Sequence, residues 1–557
     1  MKNTHTAHTL RRIITLALTV ILLTLALCAC AKSADTRENP HTTTDSHRTE
    51  ATAAPNPPRD EQSGMHQDDI YDGYEEPQTT GMVESDDAYP SPPFRESYLS
   101  IQENAARSTA TDSLLTFSLK VDTASYANAQ RYLENNQLPS ADAVRVEEFI
   151  NYFPYDTQMT FDTDPFAIYT EVGPSPFDAN KRMAFVRVKT ADIDRQALPA
   201  SNLVFLIDTS GSMNSHDKLP LLQKAFAMLA ETLDSRDRVS IVTYAGSAGV
   251  VLNGMPGDRT QDIVNAINDL RPGGSTAGAE GITLAYALAQ EHFLQGGNNR
   301  VILATDGDFN VGLSDVDALS TFVSEKRQTG VYLSVLGFGT GNIRDDIMET
   351  LAKDGNGNYQ YINNSDTAHK VLVDELAANL FVVAADVKAQ VEFNPAHVKS
   401  YRLIGYENRQ MANEDFTDDT KDAGEVGAGT DVVMMFELEL AGESGLKYSE
   451  QAPVEAKAGR YGDELFEVRI RYKHPGETRS QEILHPVTVG RVTDSNSTDF
   501  RFAGAVAAFG QLLRGSAYTG TATYESVYQL AKEGLGSDWE GYRRGFLDII
   551  KRAEDLE

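Results

Sequence analysis

The segment 203–213, LVFLIDTSGSM, constrains the fold of this chain more than any other. Its first half is an unbroken apolar run, which is typical of a parallel β-strand that is covered on both faces. Its second half places Asp208, Ser210 and Ser212 in the loop after that strand. In open α/β sheets, ligands bind at the carboxyl ends of the strands. Carboxylate and hydroxyl oxygens at this position suit Mg²⁺, Mn²⁺ or Ca²⁺ better than zinc.

Strand-like and helix-like segments alternate through the region from 200 to 381. The predicted strands are 203–207, 239–244, 250–253, 300–304, 331–336 and 358–362, and the predicted helices between and after them are 217–233, 260–270, 279–294, 315–329, 343–353 and 367–380. Such alternation predicts an α/β fold with a doubly wound, mostly parallel, Rossmann-like sheet. The second and third strands are expected to form a hairpin at one edge of this sheet.

Two later segments add polar side chains to the same edge of the predicted sheet. Asp306 directly follows the strand 300–304, and Thr276 lies in a glycine-rich loop that opens a helix. In a doubly wound sheet the first and fourth strands are neighbours where the strand order reverses. We therefore expect Asp208, Ser210 and Ser212 to converge with these two residues. The alternative is a set of unrelated turns and helix caps, which three motifs in the expected order argue against.

Three hydroxyls and two carboxylates form a ligand set for one octahedral hard cation, with Mg²⁺ favoured because it keeps several waters and takes few carboxylates. A cation held directly by few negative charges remains electrophilic toward a further carboxylate. The set therefore predicts an adhesion-type site, in which an Asp or Glu of a protein partner completes the coordination of the metal.

The flanks of this α/β region have a different character. Residues 165–193 alternate as two strands, and strand patterns return after 385, so we expect a β-sandwich whose strands come from both sides of the α/β region. Residues 499–556 are helical in pattern and are expected to pack on the sandwich.

The first thirty residues have the form of a bacterial export signal. Arg11 and Arg12 precede an apolar run of signal length, which ends at Cys28 and Cys30. This ending resembles a lipobox, in which a cysteine becomes the lipidated N-terminus. The small Ala29 favours Cys30, with Cys28 as the alternative register. We expect a membrane protein that is lipid-anchored and extracytoplasmic, at the cell surface or on a periplasmic face; an uncleaved N-terminal anchor is the other interpretation.

The composition of the chain limits the classes of partner that it is expected to bind. The formal net charge is −32, which argues against nucleic acid and against electrostatic docking on anionic lipid. Residues 31–96 are rich in Thr, Ser, Asp, Glu and Pro and poor in aliphatic residues, so we expect a disordered tether.

The motifs DTSGS, GSTAG and TDG together resemble the metal-ion-dependent adhesion site (MIDAS) of von Willebrand factor type A (VWA) domains. The resemblance implies that Ser210, Ser212 and Thr276 bind the metal directly, and that Asp208 and Asp306 act mostly through water. No site residue departs from the family pattern. The segments FSLKVDTASYANAQRYL, FNPAHVKSYRLIGYENR and DFRFAGAVAAFGQLLRGSAYTG are similar to the flanking regions of a group of bacterial VWA lipoproteins. A segment that usually ends PYDY in that group reads PYDT here.

These patterns together divide the chain into seven parts. They are a lipoprotein signal peptide (1–30), a linker (31–96), an N-terminal VWA-associated domain (97–160), strands of the flanking sandwich (161–199), the VWA domain (200–381), a β-rich flanking domain (382–495) and a C-terminal helical segment (496–557).

Three function classes remain. We expect a metal-dependent binding protein and not an enzyme. A hydrolase finds little support, because Ser275 lacks a G-x-S-x-G context, and His216 near the metal loop has no second catalytic partner in sequence. Asp122-Thr123 resembles half of an aspartic protease site, but a strand-to-helix turn capped by Thr123 or Ser125 explains it better. The third class is a structural or assembly component of a cell-envelope complex with a purely structural metal.

Overall fold

A computed structural model describes residues 96–120, 122–162, 164–274, 278–307, 316–442 and 461–557 of the 557-residue chain. The predicted signal peptide with Cys28 and Cys30, nearly all of the predicted tether, and Thr276 lie outside these ranges.

In chain order, the β-strands are β1 (Arg107–Ser108), β2 (Leu114–Ser118), β3 (Phe166–Pro174), β4 (Arg182–Thr190), β5 (Ser201–Asp208), β6 (Arg238–Tyr244), β7 (Ala248–Pro256), β8 (Asn298–Thr305), β9 (Tyr332–Phe338), β10 (Tyr359–Ile362), β11 (Val382–Phe393), β12 (Val398–Ile404), β13 (Gln410–Met411), β14 (Gly424–Gly427), β15 (Asp431–Leu440), β16 (Glu464–Lys473) and β17 (Gln481–Thr488). The α-helices are α1 (Ala124–Glu134), α2 (Val146–Ile150), α3 (Leu219–Glu231), α4 (Thr260–Asn268), α5 (Gly278–Glu291), α6 (Val316–Arg327), α7 (Asp345–Asp354), α8 (Ser365–His369), α9 (Leu376–Leu380), α10 (Thr498–Arg514), α11 (Tyr524–Glu533) and α12 (Tyr542–Leu556).

The α/β region forms one sheet with strand order β10-β9-β8-β5-β6-β7. All neighbours pair in parallel except β6 and β7, which form the predicted antiparallel hairpin at the edge. The first strand of the region, β5, lies between β8 and β6, so the predicted neighbourhood of the first and fourth strands is confirmed.

Both faces of β5 are covered, which explains its unbroken apolar sequence. On one face, Leu203, Phe205 and Ile207 pack with α3, α4, α8 and α9. On the other face, Val204 and Leu206 pack with α5, α6, α7 and the N-terminal helix α1. The doubly wound α/β fold predicted from the sequence is confirmed.

One predicted helix is divided in the structure. The region 367–380 is divided into α8, a π-helical turn (Lys370–Asp374) and α9. This wide turn places the ammonium group of Lys370 over the rings of Tyr152 and Tyr542, 4.9 Å and 5.2 Å from their centroids. The short helix α2 begins only after Arg145, since Arg145 itself has an extended conformation with ψ of 104°.

The flanking strands form two sheets with orders β1-β12-β15-β4-β3 and β13-β2-β11-β16-β17. The predicted sandwich with strands from both sides of the α/β region is confirmed, because β4 pairs with β15 in register from Arg182↔Leu438 to Lys189↔Asp431. Strand β2, from the segment that the sequence assigns to an N-terminal domain, pairs with β11 in the second sheet. The N-terminal segment thus contributes β2 to the second sheet, α1 to one face of the α/β sheet and α2 to the layer of C-terminal helices.

The C-terminal helices pack on the outer face of the first sheet, as predicted. Phe502, Phe509 and Phe546 from α10 and α12 share a core with Phe185 of β4 and with Phe149 of α2. The helices of the N-terminal and C-terminal segments therefore form one layer. Among the described residues, no helix is long and apolar enough to cross a membrane.

Candidate metal centre

Two aspartates lie side by side at the carboxyl edge of the α/β sheet. All eight residues of β5 are buried, and the strand ends at Asp208. The neighbouring strand β8 is also buried throughout and is followed by Asp306. Parallel pairing aligns Ile207 with Ala304, so the two strands end at the same level. Both carboxylates are fully buried.

The loop after β5 folds back over the first carboxylate. The backbone N–H of Ser210 donates to Oδ1 of Asp208 at 2.8 Å, which is the local bond that an aspartate makes in a turn. A short 3₁₀ turn (Gly211–Asn214) follows and brings the hydroxyl of Ser212 to 2.9 Å from that of Ser210. Ser210 is buried and Ser212 half-buried. Two hydroxyls and two carboxylates are thereby gathered at one edge.

The glycine-rich loop reaches the same edge from the other side. The N–H of Gly211 donates to the carbonyl of Gly274 at 3.2 Å, and the N–H of Gly273 donates to the carbonyl of Thr209 at 2.8 Å. These two bonds attach the described end of the loop to the serine turn, two residues before Thr276. Thr276 itself lies outside the described residues, so its place in the site stays a prediction.

The electrostatics of the first carboxylate favour a bound cation. Burial raises the pKa of Asp208 to about 6, hydrogen bonds from Ser210 lower it, and the nearby charge of Asp306 raises it. A buried carboxylate with such a raised pKa lacks sufficient positive charge around it, and a divalent cation would supply that charge. The residues present therefore fit a hard divalent ion.

Sequence reasoning did not anticipate the partner of the second carboxylate. The ammonium group of Lys218, directly before α3, lies 2.8 Å from Oδ2 of Asp306. Lys218 is the first lysine or arginine after Asp208 in the chain, and that proximity to the metal loop is the one sequence signal for it. The predicted site thus includes a protein cation.

The donor set differs from that of a zinc site. Within the residues that the structure describes, no group of three or more His, Cys, Asp or Glu side chains is arranged to hold a metal ion. The candidate centre has two carboxylates and relies on hydroxyls for the remaining protein ligands. Hydroxyl and carboxylate oxygens match Mg²⁺, Mn²⁺ or Ca²⁺.

A polar groove of about 770 Å³ adjoins the metal loop. One wall is the loop itself, including Ser212, and the other is the end of α1, including Tyr132 and Glu134. His216, which the sequence offers as a candidate general base, is exposed on the same groove. The groove leaves this side of the loop accessible from solvent.

Models of three protein families match the chain. "von Willebrand factor" matches residues 92–185, "von Willebrand factor type A domain" matches 202–375, and "Uncharacterized protein YfbK, C-terminal" matches 378–556. The uncharacterized protein YfbK of Escherichia coli K12 is 42% identical over 470 residues, which cover 82% of this chain and 81% of YfbK.

Solved structures with similar folds include a von Willebrand factor type A protein from Catenulispora acidiphila. It is 16% identical, covers 70% of this chain and 91% of its own, and gives a TM-score of 0.39. Another is proximal thread matrix protein 1 from the mussel byssus, described with a zinc-occupied MIDAS motif, at 20% identity, 34% and 46% coverage and a TM-score of 0.27.

The family models cover the α/β domain and both of its flanks, and YfbK is related to the chain over most of its length. The chain therefore belongs to the von Willebrand factor type A domain proteins, in the group that includes YfbK.

Proposed function

We propose that this protein binds a divalent cation at the carboxyl edge of its VWA sheet and, through that cation, an acidic residue of a protein partner. One observation carries the proposal: the hydroxyls of Ser210 and Ser212 lie 2.9 Å apart beside the buried Asp208, at the end of the strand next to Asp306. Mg²⁺ is the favoured ion, with Mn²⁺ and Ca²⁺ as alternatives.

The neutral and the charged side chains of the site would have different roles in metal binding. Ser210 and Ser212, together with Thr276, would hold the cation directly with neutral oxygens, while Asp208 and Asp306 would act through water. When bound, the cation supplies a coordination place for a carboxylate oxygen. Because its direct protein ligands are neutral, the cation retains most of its charge and attracts that carboxylate. Binding, and not catalysis, is the role that this arrangement favours.

The groove beside the loop supports recognition of a protein surface and not only of a single side chain. It runs from Ser212 to the end of α1, which comes from outside the VWA domain. A partner that reaches the metal through its acidic residue would therefore also contact Tyr132 and Glu134. The chain has a net charge of −32 and would repel an acidic partner. A cation that bridges the two proteins would offset this repulsion.

Calorimetric titration of Mg²⁺ into the full chain in detergent tests the metal. We expect saturable binding that Asp208→Ala abolishes and that Ser212→Ala weakens. Asp258→Ala, which removes an exposed acid of the same domain, is the matched control and should bind as the unmodified protein does. Equal binding by the Asp208→Ala variant would overturn the site.

Affinity capture from envelope extracts tests the partner. The full chain and its Ser212→Ala variant are compared in Mg²⁺ and in EDTA. A partner that is retained only by the unmodified chain in Mg²⁺ supports the proposal. Recovery that is indifferent to EDTA and to Ser212 favours the second candidate.

That second candidate is a structural or assembly component of a cell-envelope complex, in which the metal is purely structural and makes no contact with a partner. The buried ion pair between Lys218 and Asp306 favours it, because the pair holds this edge together by contacts within the chain. The capture experiment separates the two candidates, since a structural component would be retained equally with and without chelator.

We further propose that the protein is anchored by lipid at Cys30 and faces away from the cytoplasm. The export-signal pattern and the small Ala29 before Cys30 support this register. Metabolic labelling with a radioactive fatty acid should mark the unmodified chain and Cys28→Ala but not Cys30→Ala. Labelling lost only in Cys28→Ala would assign the anchor to Cys28, and labelling of both variants would overturn lipidation at one defined cysteine.

A further inference from the structure

The positive charge of Lys218 lies where it would compete with a metal ion for a carboxylate of the candidate metal centre. The residue is only 6% exposed, and its ammonium group donates to Oδ2 of the fully buried Asp306 at 2.8 Å. We propose that Lys218 is a built-in cation that competes with the divalent ion for Asp306 and thereby sets the affinity of the site. This inference rests on the proposed metal site.

Packing fixes the lysine in place. Gly339, in the loop after β9, has φ of +74°, and a Cβ atom at that position would lie 2.3 Å from Cγ of Lys218. The hydroxyl of Tyr361 donates to the carbonyl of Gly339 at 2.5 Å and holds this loop closed. Only glycine lets the backbone approach the lysine stem so closely. Lys218 is therefore not a surface side chain that an arriving ion can displace at no cost.

The buried positive charge of Lys218 lowers the affinity of the site for a metal ion. Asp208 and Asp306 would attract a divalent cation together, but one of them is already paired with a positive charge in a buried place. Like charges a few ångströms apart repel strongly where water is excluded. The ion must therefore either share Asp306 with the ammonium group or break the pair. Removing the positive charge should increase metal affinity by about ten- to hundredfold.

Titration calorimetry with Mg²⁺ alone is the primary test. Lys218→Met keeps the length of the apolar stem without the charge, and Lys218→Gln places a neutral donor on a side chain that is one atom shorter. We expect both variants to bind Mg²⁺ at least about tenfold more tightly than the unmodified chain. Lys218→Arg, which keeps the charge, and Lys224→Met, which removes an exposed lysine of the following helix α3, should stay within about twofold of it.

The gain in melting temperature on adding Mg²⁺ is a readout that a merely structural lysine would not change. In EDTA, Lys218→Met should melt at a lower temperature than the unmodified chain, because Asp306 loses its partner. In Mg²⁺, the gain in melting temperature should be larger for the variant, since the tighter ligand stabilises more. A lysine with only a structural role would lower the melting temperature equally in both conditions, which would overturn the proposal.

The outcomes separate this inference from the proposed function. Binding of Mg²⁺ by the unmodified chain, with neutral variants that bind no more tightly, overturns the competition and leaves the metal site standing. Binding by the neutral variants alone supports the competition and overturns a metal site in the unmodified protein. Binding by none of the proteins overturns both.

Discussion

The guanidinium group of Arg145 lies 2.6 Å from the carboxylate of Asp345, across the boundary between the N-terminal segment and the VWA domain. Both side chains are buried, and Arg145 also pairs with Glu148 at 2.6 Å. Asp345 is the first residue of α7 and follows the loop that contains Gly339. The pair therefore joins the N-terminal segment to an element that is contiguous with the candidate metal centre.

Substitution Arg145→Met should destabilise the protein strongly. It would leave the buried Asp345 without its main counter-charge, and loss of one partner of a buried pair costs about 3–5 kcal/mol. Urea denaturation measures the change in the free energy of unfolding. Arg259→Met, which removes one partner of the exposed pair with Asp262, is the control, with an expected loss below about 1 kcal/mol. Similar losses in the two variants would contradict a special role for the buried pair.

The same cluster should make stability depend on pH. Burial raises the pKa of Glu148 to about 8; Arg145 lowers it, and the charges of Asp122 and Glu349 raise it further. A carboxyl whose pKa is higher in the folded state than in the unfolded state holds its proton more tightly when folded. Its stabilising contribution is therefore complete below about pH 4.5 and is lost as pH rises through about 8.

Glu148→Gln should remove this pH dependence. Free energies of unfolding measured in urea at several pH values from about 6 to about 9 should fall more steeply for the unmodified chain than for the variant. Glu134→Gln, at an exposed position of α1, should keep the slope of the unmodified chain. A slope that Glu148→Gln leaves unchanged would assign the pH dependence to other groups.

The sequence allowed the candidate site to be located because a general rule connects strand ends with ligands. Asp208 and Asp306 each follow an apolar run, and parallel order makes those runs neighbours. No such rule predicts that Lys218 belongs to the site, since its partner Asp306 is 88 residues away in the chain. A lysine before a helix is most often an exposed residue, whereas Lys218 is buried and the Gly339 loop packs against its stem.

The ion pairs between segments were unpredictable for the same reason. The sequence predicts a turn capped by Thr123 or Ser125, but Thr123 makes no capping bond to α1, and the hydroxyl of Ser125 donates to the carbonyl of Ala143. Instead the carboxylate of Asp122 accepts a bond from Arg409 of the sandwich at 2.9 Å, and Thr123 donates to Gln360 of β10 at 2.6 Å. Periodicity reports which face of an element is buried, and it carries no information about which distant charge a polar residue meets.

Gly307→Ala should disturb the metal centre from a position next to Asp306. Gly307 has φ of +97°, and a Cβ atom there would lie 2.3 Å from the carbonyl oxygen of Asn342. Gly296 has φ of +72° with no atom within 4 Å of an added Cβ, so Gly296→Ala isolates the backbone strain from the clash. We expect about 1–2 kcal/mol of destabilisation for Gly296→Ala and about 2–4 kcal/mol for Gly307→Ala.

Urea denaturation and Mg²⁺ calorimetry on the two glycine variants check this expectation. Only Gly307→Ala should also weaken metal binding, because the clash displaces the chain that carries Asp306. Equal stability losses, or metal binding unaffected in Gly307→Ala, would show that the loop relaxes without moving the site.

Metal affinity should fall at acidic pH. The pKa of Asp208 is raised to about 6 by burial, so a proton competes with the cation below that pH. With this pKa, about nine in ten molecules carry the proton at pH 5, and Mg²⁺ should bind roughly tenfold more weakly there than at about pH 7. Without metal, the sign for stability is the reverse of the usual carboxylate case: the contribution of Asp208 is lost as pH rises from about 4 through about 6.

Calorimetry at the two pH values, in two buffers of different ionisation enthalpy, measures both the affinity and the protons released. Ser212→Ala is the control, since it should weaken binding at both pH values and keep their ratio; an affinity that is equal at the two pH values would exclude Asp208 as the group that exchanges its proton for the metal.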